Sequence, residues 1–162
     1  MRRLVLSALL ALSLGGCGFT PLYGTPGVAS GLTTIQVSTP EGRVGGLLRE
    51  HLDDALGRNP SIAATYRLTT ALGEQRYPRG IRIDNVATRY EYVLVVDYTL
   101  TPVGGALKPA KTGKVRVEVT YDSADQPYAS VAAQQDAQDR AAGEAARRIE
   151  LELATWLAKP KA

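Results

Sequence analysis

The stretch Lys114–Asp122, KVRVEVTYD, decides the fold because it alternates apolar and polar residues without a break. Val115, Val117, Val119 and Tyr121 occupy every second position, and charged or hydroxyl side chains fill the positions between them. Successive side chains of a β-strand point to opposite faces, so this period of two predicts a strand with one apolar and one polar face. Such a strand is typical of an antiparallel sheet that is covered on one side only.

Two earlier stretches show the same alternation, residues 66–72 (YRLTTAL) and residues 89–100 (RYEYVLVVDYTL). The middle of the second stretch is an exception, because Val93 and Val95 make it apolar on both faces. Either loops cover this part of the second face, or the sheet lies against another protein. The sequence leaves both interpretations open.

Helical patterns stand on either side of these strands, after a short strand at residues 33–37 (TTIQV). Thr39-Pro40-Glu41 predicts an N-cap with proline at the first helical position. That helix should run to about Leu56, with Gly57 just past its C-terminus. An apolar stripe at helical spacing predicts a second, long helix from about Ser130 to Ala158.

The predicted element order is therefore β-α-β-β-β-α, which indicates an α+β fold: a four-stranded mixed sheet with two helices packed on one face. The first strand should run parallel to the second, and the last three strands should alternate in direction. Residues 73–86 and 122–128 then lie at the end of the sheet away from the N-terminal segment, the distal end. Residues 102–113 lie at the opposite, proximal end.

The two ends differ in the basic residues that they carry. The distal connection holds arginines: Arg76, Arg79, Arg82 and, at the start of the next strand, Arg89. The proximal connection holds lysines: Lys108, Lys111 and Lys114. Arginine forks suit phosphates and carboxylates, whereas lysine supplies a point charge. The functional interpretation is a distal tip that meets a phosphorylated or acidic ligand and a proximal end that faces anionic headgroups; the alternative is two ordinary solvated loops.

The composition argues against nucleic-acid binding and catalysis. The formal net charge is only +3, and two of the basic residues, Arg2 and Arg3, lie in the N-terminal segment described below. A nucleic-acid-binding domain would need a strongly basic face. The chain has one histidine, His51, without a set of partners at metal-ligand spacing, and no phosphate loop or nucleophile elbow. The sequence predicts a non-enzyme without a cofactor, in which His51 is structural.

The N-terminus has the pattern of a secretory signal. Two arginines precede the apolar run Leu4–Leu14, which is too short to span a bilayer and ends before Gly15 and Gly16. Leu14-Gly15-Gly16-Cys17 resembles the lipobox of bacterial lipoproteins. The resemblance implies that residues 1–16 are removed and that Cys17 carries a diacylglycerol and an N-acyl chain; the alternative is a secreted protein with a chance cysteine.

The predicted organisation is a signal peptide at 1–16, a lipidated tether at 17–31 and a single domain at 32–162. Acyl chains on one residue would hold the protein stably on a membrane. Gly18 follows the cysteine, where an aspartate would resemble an inner-membrane retention signal. The expected location is therefore the outer membrane, on its periplasmic side.

Three stretches resemble the LptE family of lipopolysaccharide-assembly lipoproteins, and together they reach across the mature chain. They are residues 17–24 (CGFTPLYG), residues 86–90 (VATRY) before a long strand, and residues 128–137 (YASVAAQQDA), followed by Arg140-Ala141. The family fold, two helices on a four-stranded sheet, agrees with the element order derived above.

The resemblance implies a role without chemistry: a plug inside the LptD outer-membrane β-barrel that assists its folding and binds lipopolysaccharide. Family ligand contacts at the end away from the tether match Arg79, Arg82 and Arg89 here. Two other classes stay open. One is a periplasmic lipoprotein subunit of an ABC or MCE-type lipid-trafficking system, and the other is a structural lipoprotein that binds peptidoglycan.

Overall fold

Three long strands and a 31-residue helix make up most of the computed structural model, which describes residues 22–81, 87–104, 109–123 and 126–159. A 3₁₀ turn at Leu22–Gly24 precedes the main elements. These are α1 (Val28–Leu32), β1 (Ile35–Ser38), α2 (Arg43–Ala55), β2 (Tyr66–Ile81), β3 (Ala87–Pro102), β4 (Lys111–Asp122) and α3 (Pro127–Leu157). The predicted signal peptide, Cys17, Arg82 and Lys108 lie outside the described residues.

The sheet has the strand order β1-β2-β3-β4 and is mixed. β1 pairs in parallel with the start of β2, Ile35 opposite Tyr66, and the two later pairs are antiparallel. The predicted α+β fold and β-α-β-β-β-α order are confirmed, with the short helix α1 added before β1. Because β1 reaches only as far as Thr69 on β2, the distal half of β2 has no strand partner on that side among the described residues.

The β2–β3 hairpin is longer than the sequence predicted. The strand expected to end at Leu72 continues to Ile81, so most of the predicted connection 73–86 is β-strand. Gly73 and Pro78 had indicated a loop. Pro78 has no N–H to donate, but it lies beyond β1, where the outer edge of β2 requires no donor.

The start of α2 corrects the predicted N-cap at Thr39. The helix begins at Arg43, after Gly42 with a φ of 114°. The chain turns at Gly42, which has a positive φ, before the helix starts. The carbonyl group of Pro40 then occupies the position that a side chain at Gly45 would take. The other end is as predicted, with Gly57 in the left-handed region at φ 58°. α3 begins three residues before the predicted Ser130, with proline in its first turn.

One face of the sheet packs against α2 and α3, and we call it the covered face. Its side chains and those of the helices form one core; those of the sheet include Leu68, Tyr92, Leu94, Val96, Tyr98, Leu100, Val115, Val117 and Tyr121. The alanine-rich stripe of α3 (Ala137, Ala141, Ala142, Ala145 and Ala146) is fully buried against it. Within the described residues, no helix is both long and apolar enough to cross a membrane.

The opposite side, the open face, carries the alternate residues of the strands. Val93 is fully buried there, and Val95 is partly exposed. The cross-strand neighbours of Val93 are Gln75 and Glu118. Val93 is therefore buried without another protein chain.

Candidate functional site

The distal half of the β2–β3 hairpin brings together three arginines, Arg76, Arg79 and Arg89, which we call the distal arginines. Arg79 and Arg89 are directly opposite each other across the two strands, and both face the open side of the sheet. Of the three predicted ligand residues, the structure thus places two side by side, and Arg82 lies outside the described residues.

Each of the two facing arginines has its own carboxylate partner. Arg79 Nε donates to Glu91 Oε2 at 3.0 Å, and Arg89 Nε donates to Asp122 Oδ1 at 2.8 Å. These hydrogen bonds raise the pKa of both guanidinium groups above the ordinary value. Like charges directly opposite in a sheet repel one another, and the two acids offset that repulsion. An anionic ligand at this site would exchange with the carboxylates.

Arg76 lies on the other side of the same hairpin. Its guanidinium stands 4.8 Å from the centre of the Tyr90 ring, and Nη1 donates to Gln134 of α3 at 2.9 Å. Tyr90 is stacked on Tyr121 with ring centres 5.7 Å apart. Within the described part of the chain, no carboxylate lies at ion-pair distance from Arg76, so its positive charge is not neutralised locally.

The sequence could have separated Arg76 from the other arginines. The alternation of residues 66–72 continues through Gly73, which puts even-numbered positions of β2 on the covered face. Reading Gly73 and Pro78 as loop residues concealed this signal. The hydroxyl of Tyr121, whose ring stacks on that of Tyr90, is buried and has no hydrogen-bond partner in the described residues.

The proximal lysines form two groups rather than one. Lys111 lies on the covered side, where Nζ stands 3.4 Å from Glu152 of α3. Lys114 lies on the open face and pairs with Asp97 at 3.1 Å. The predicted connection 102–113 is shorter than expected, because β4 already begins at Lys111. The two lysines therefore cannot act on one ligand group together.

His51, which the sequence predicted to be structural, forms a contact between two helices. Its Nε2 lies 2.8 Å from Asp139 Oδ1, which joins α2 to α3. The ring rests on Gly143, where an added Cβ would stand 3.5 Å from it. Among the residues that the structure describes, no group of three His, Cys, Asp or Glu side chains could hold a metal ion.

Comparison with known proteins agrees with this architecture. A protein from Caulobacter crescentus CB15 that is described as a lipoprotein is 53% identical in sequence. Its crystal structure aligns with a TM-score of 0.71 over 83% of this chain and 99% of that one. Rare lipoprotein B from Shewanella oneidensis is 18% identical, with a TM-score of 0.56 over 75% of this chain and 92% of that one.

A minor lipoprotein from Acinetobacter baumannii is 15% identical, with a TM-score of 0.51 over 75% of this chain and 94% of that one. At these low identities the last two structures show a shared fold alone. No curated protein matched the chain significantly. The sequence model of the LptE family, described as lipopolysaccharide-assembly, matches residues 32–153, which is most of the chain. The chain therefore belongs to the LptE lipopolysaccharide-assembly family.

Proposed function

We propose that this protein is an outer-membrane lipoprotein, anchored through acyl chains on Cys17, that plugs an LptD-type β-barrel and binds lipopolysaccharide as it passes to the outer leaflet. Membership of the LptE family supports the role in lipopolysaccharide assembly. The observation that carries the plug function is the open face of the sheet, because a barrel lumen is polar and a plug must present polar groups to it.

The open face is a folded surface on which most charges are paired; Arg67, near the start of β2, has no carboxylate partner among the described residues. Four ion pairs cross it, Arg79–Glu91, Arg89–Asp122, Lys114–Asp97 and Arg116–Glu118. No described helix packs on this face, although it spans the whole length of the sheet. A surface of this kind can enter a polar lumen while burying little unpaired charge, since most of its charged groups already have partners.

Lipopolysaccharide carries phosphates next to acyl chains, and the distal end offers contacts for both. Arg79, Arg82 and Arg89 are the proposed phosphate ligands, because guanidinium forks bind phosphate bidentately. Tyr77, Tyr128 and Val131 expose apolar surface at the same end, 40%, 91% and 53% of each residue. Arg76, which has no carboxylate partner among the described residues, adds a further positive charge on the opposite side of the hairpin.

Extraction of the acylated protein from its own outer membrane in a mild detergent tests the partner. The co-purifying proteins are then identified by mass. A large β-barrel in near-equal amount is the expected result. Inner-membrane ATPase or MCE-type subunits without a barrel would contradict the plug function and support the lipid-trafficking alternative.

Binding of purified lipopolysaccharide tests the ligand site. Replacing Arg79, Arg82 and Arg89 together by glutamine should weaken binding roughly tenfold or more, because each guanidinium contributes charge-assisted hydrogen bonds. Arg116→Gln is the matched control, since Arg116 lies on the same face, is similarly exposed and also has a carboxylate partner. Equal losses in both variants, or no loss in the triple variant, would contradict the assignment of this site.

A further inference from the structure

The proximal end holds a surface that the plug function does not use. A groove of about 380 Å³ lies between β4 and the end of α3. It is lined by Lys111, Leu151, Glu152, Thr155, Trp156 and Lys159. Leu151 is 53% exposed although it is a large apolar residue, and the groove combines it and Trp156 with two lysines.

Further apolar residues are exposed next to the proximal ends of the strands, Ile62 before β2 and Val103 just after β3. Ile62 is 43% exposed and Val103 is 48% exposed. Val103 is held at this end by a backbone hydrogen bond to Thr65. Next to Thr65, Tyr66 packs edge-to-face on Trp156 with ring centres 5.5 Å apart. Apolar side chains and a tryptophan with lysines around them are the composition of a surface that rests at the boundary between lipid and water.

The N-terminal segment ends beside the same surface. The Tyr23 hydroxyl donates to Glu150 Oε1 at 2.8 Å, one residue before Leu151. Leu22, the first described residue, comes five positions after Cys17, so the chain between them can span at most roughly 17 Å. Acyl chains on Cys17 would therefore keep Leu22 within roughly that distance of the bilayer, and with it the part of α3 that Tyr23 contacts.

Lysine and glutamate side chains are mixed at the proximal end, and they differ in how they are paired. Glu150 accepts the Tyr23 hydroxyl, and Glu152 is shared by Lys111 and the Tyr98 hydroxyl. Lys159 has no carboxylate partner within the described residues. A lysine near an anionic membrane surface strengthens attachment by roughly fivefold, and the effect fades within a Debye length.

We propose that this proximal surface docks directly on a bilayer that contains anionic phospholipid, as a second membrane contact beside the lipid anchor. The inference rests on the proposed acylation of Cys17, but not on the barrel partner. Docking would place the C-terminal end of α3 at the membrane and direct its N-terminal end away from it. Because its 31 residues span roughly 46 Å, the distal arginines would stand about that far from the headgroups.

Trp156 reports on this contact directly, because it is the only tryptophan in the chain. The mature protein, with acylation checked by mass, is reconstituted in vesicles of phosphatidylethanolamine and phosphatidylglycerol that carry brominated acyl chains. Docking predicts a blue-shifted Trp156 emission and quenching by the bromine atoms. In phosphatidylcholine vesicles the anchor still holds the protein, but quenching should fall severalfold because the lysines lose their anionic partners.

Paired variants separate docking from anchoring. Lys111→Gln with Lys159→Gln should lower quenching in the anionic vesicles severalfold while the protein still floats with them. Lys114→Gln removes the same charge from the open face and should change nothing. Absent quenching in a protein that floats with the vesicles, equal quenching in both lipids, or equal loss in the Lys114 variant would overturn the proposal. Since no barrel is present, none of these outcomes depends on the plug function.

Discussion

The covered and open faces of the sheet are made by the same strands but are built on opposite principles. On β3, Tyr92, Leu94, Val96, Tyr98 and Leu100 face the helices, and none is more than 3% exposed. The alternate residues of the same strand, which lie on the open face, include Glu91 and Asp97, paired with arginine and lysine. Burial on one face supplies the stability of the fold, and the other face is thereby free to carry charges that can exchange partners.

Two consecutive residues of β3 test this division most strongly. Leu94→Ala should lower the free energy of unfolding by about 3 kcal/mol, because Leu94 is fully buried and its loss leaves a cavity between sheet and helices. Val95→Ala, on the open face beside Gly73, should cost less than about 1 kcal/mol. Urea titration of both variants measures the difference. Similar losses would mean that the open face is packed like a core.

The two glycines inside α2 extend the comparison to the helix layer. Gly45 faces inward, and a Cβ there would collide with the Pro40 carbonyl, so Gly45→Ala should cost about 2 kcal/mol through forced backbone movement. Gly46 faces outward with open space around it, so Gly46→Ala should stabilise the protein by about 0.5–1 kcal/mol through helix propensity. Thermal unfolding of the pair should shift in opposite directions. A loss of stability in both variants would contradict this placement of the two glycines.

Alkaline pH should weaken the covered face before the open one. Burial, together with hydrogen bonds to Glu74 and Glu152, raises the pKa of Tyr92 and Tyr98 above the ordinary value near 10. Unfolded tyrosines therefore release protons at a lower pH than the folded ones. The stability from these two groups is complete below pH 10 and is lost as the pH rises further, by up to about 1.4 kcal/mol per pH unit for each tyrosine.

The slope of stability against pH isolates this effect from the lost hydrogen bonds. Tyr92→Phe and Tyr98→Phe should each flatten the decline in the free energy of unfolding above pH 10. Tyr128→Phe serves as control, because Tyr128 is 91% exposed and should leave the slope unchanged. An identical slope in all three variants would show that other groups, such as lysines, govern alkaline unfolding.

The sequence predicted the layers of this fold because its apolar periods are unbroken where the sheet is covered. Lys114–Asp122 and residues 89–100 needed only the period of two to place each side chain on its face. The prediction of strand ends was wrong where glycine and proline occur inside a strand. Pro78 is compatible with β2 only because β1 stops at Thr69, and no local pattern reveals how far a neighbouring strand extends.

The same limit applies to the candidate site. Charge type and strand direction were enough to bring Arg79 and Arg89 to one end, because those features depend on element order. The pairing of these arginines with Glu91 and Asp122 depends on the register of three strands, which could not be predicted from the sequence. Arg76 was placed with the wrong neighbours for the same reason, since its face follows from the length of β2.

The carboxylates at the distal end provide the finest test of the open face. If Glu91 and Asp122 hold their arginines ready for exchange, Glu91→Gln with Asp122→Asn should strengthen lipopolysaccharide binding by roughly two- to fivefold, because the ligand no longer competes with an acid. Glu118→Gln removes the acid that pairs with Arg116 in the middle of the face, and it should leave binding unchanged. Weaker binding in the double variant would indicate instead that the acids fix the guanidinium groups in their binding geometry. The sign of the change thus tells whether the two acids compete with the ligand for the arginines or hold the arginines in position to bind it.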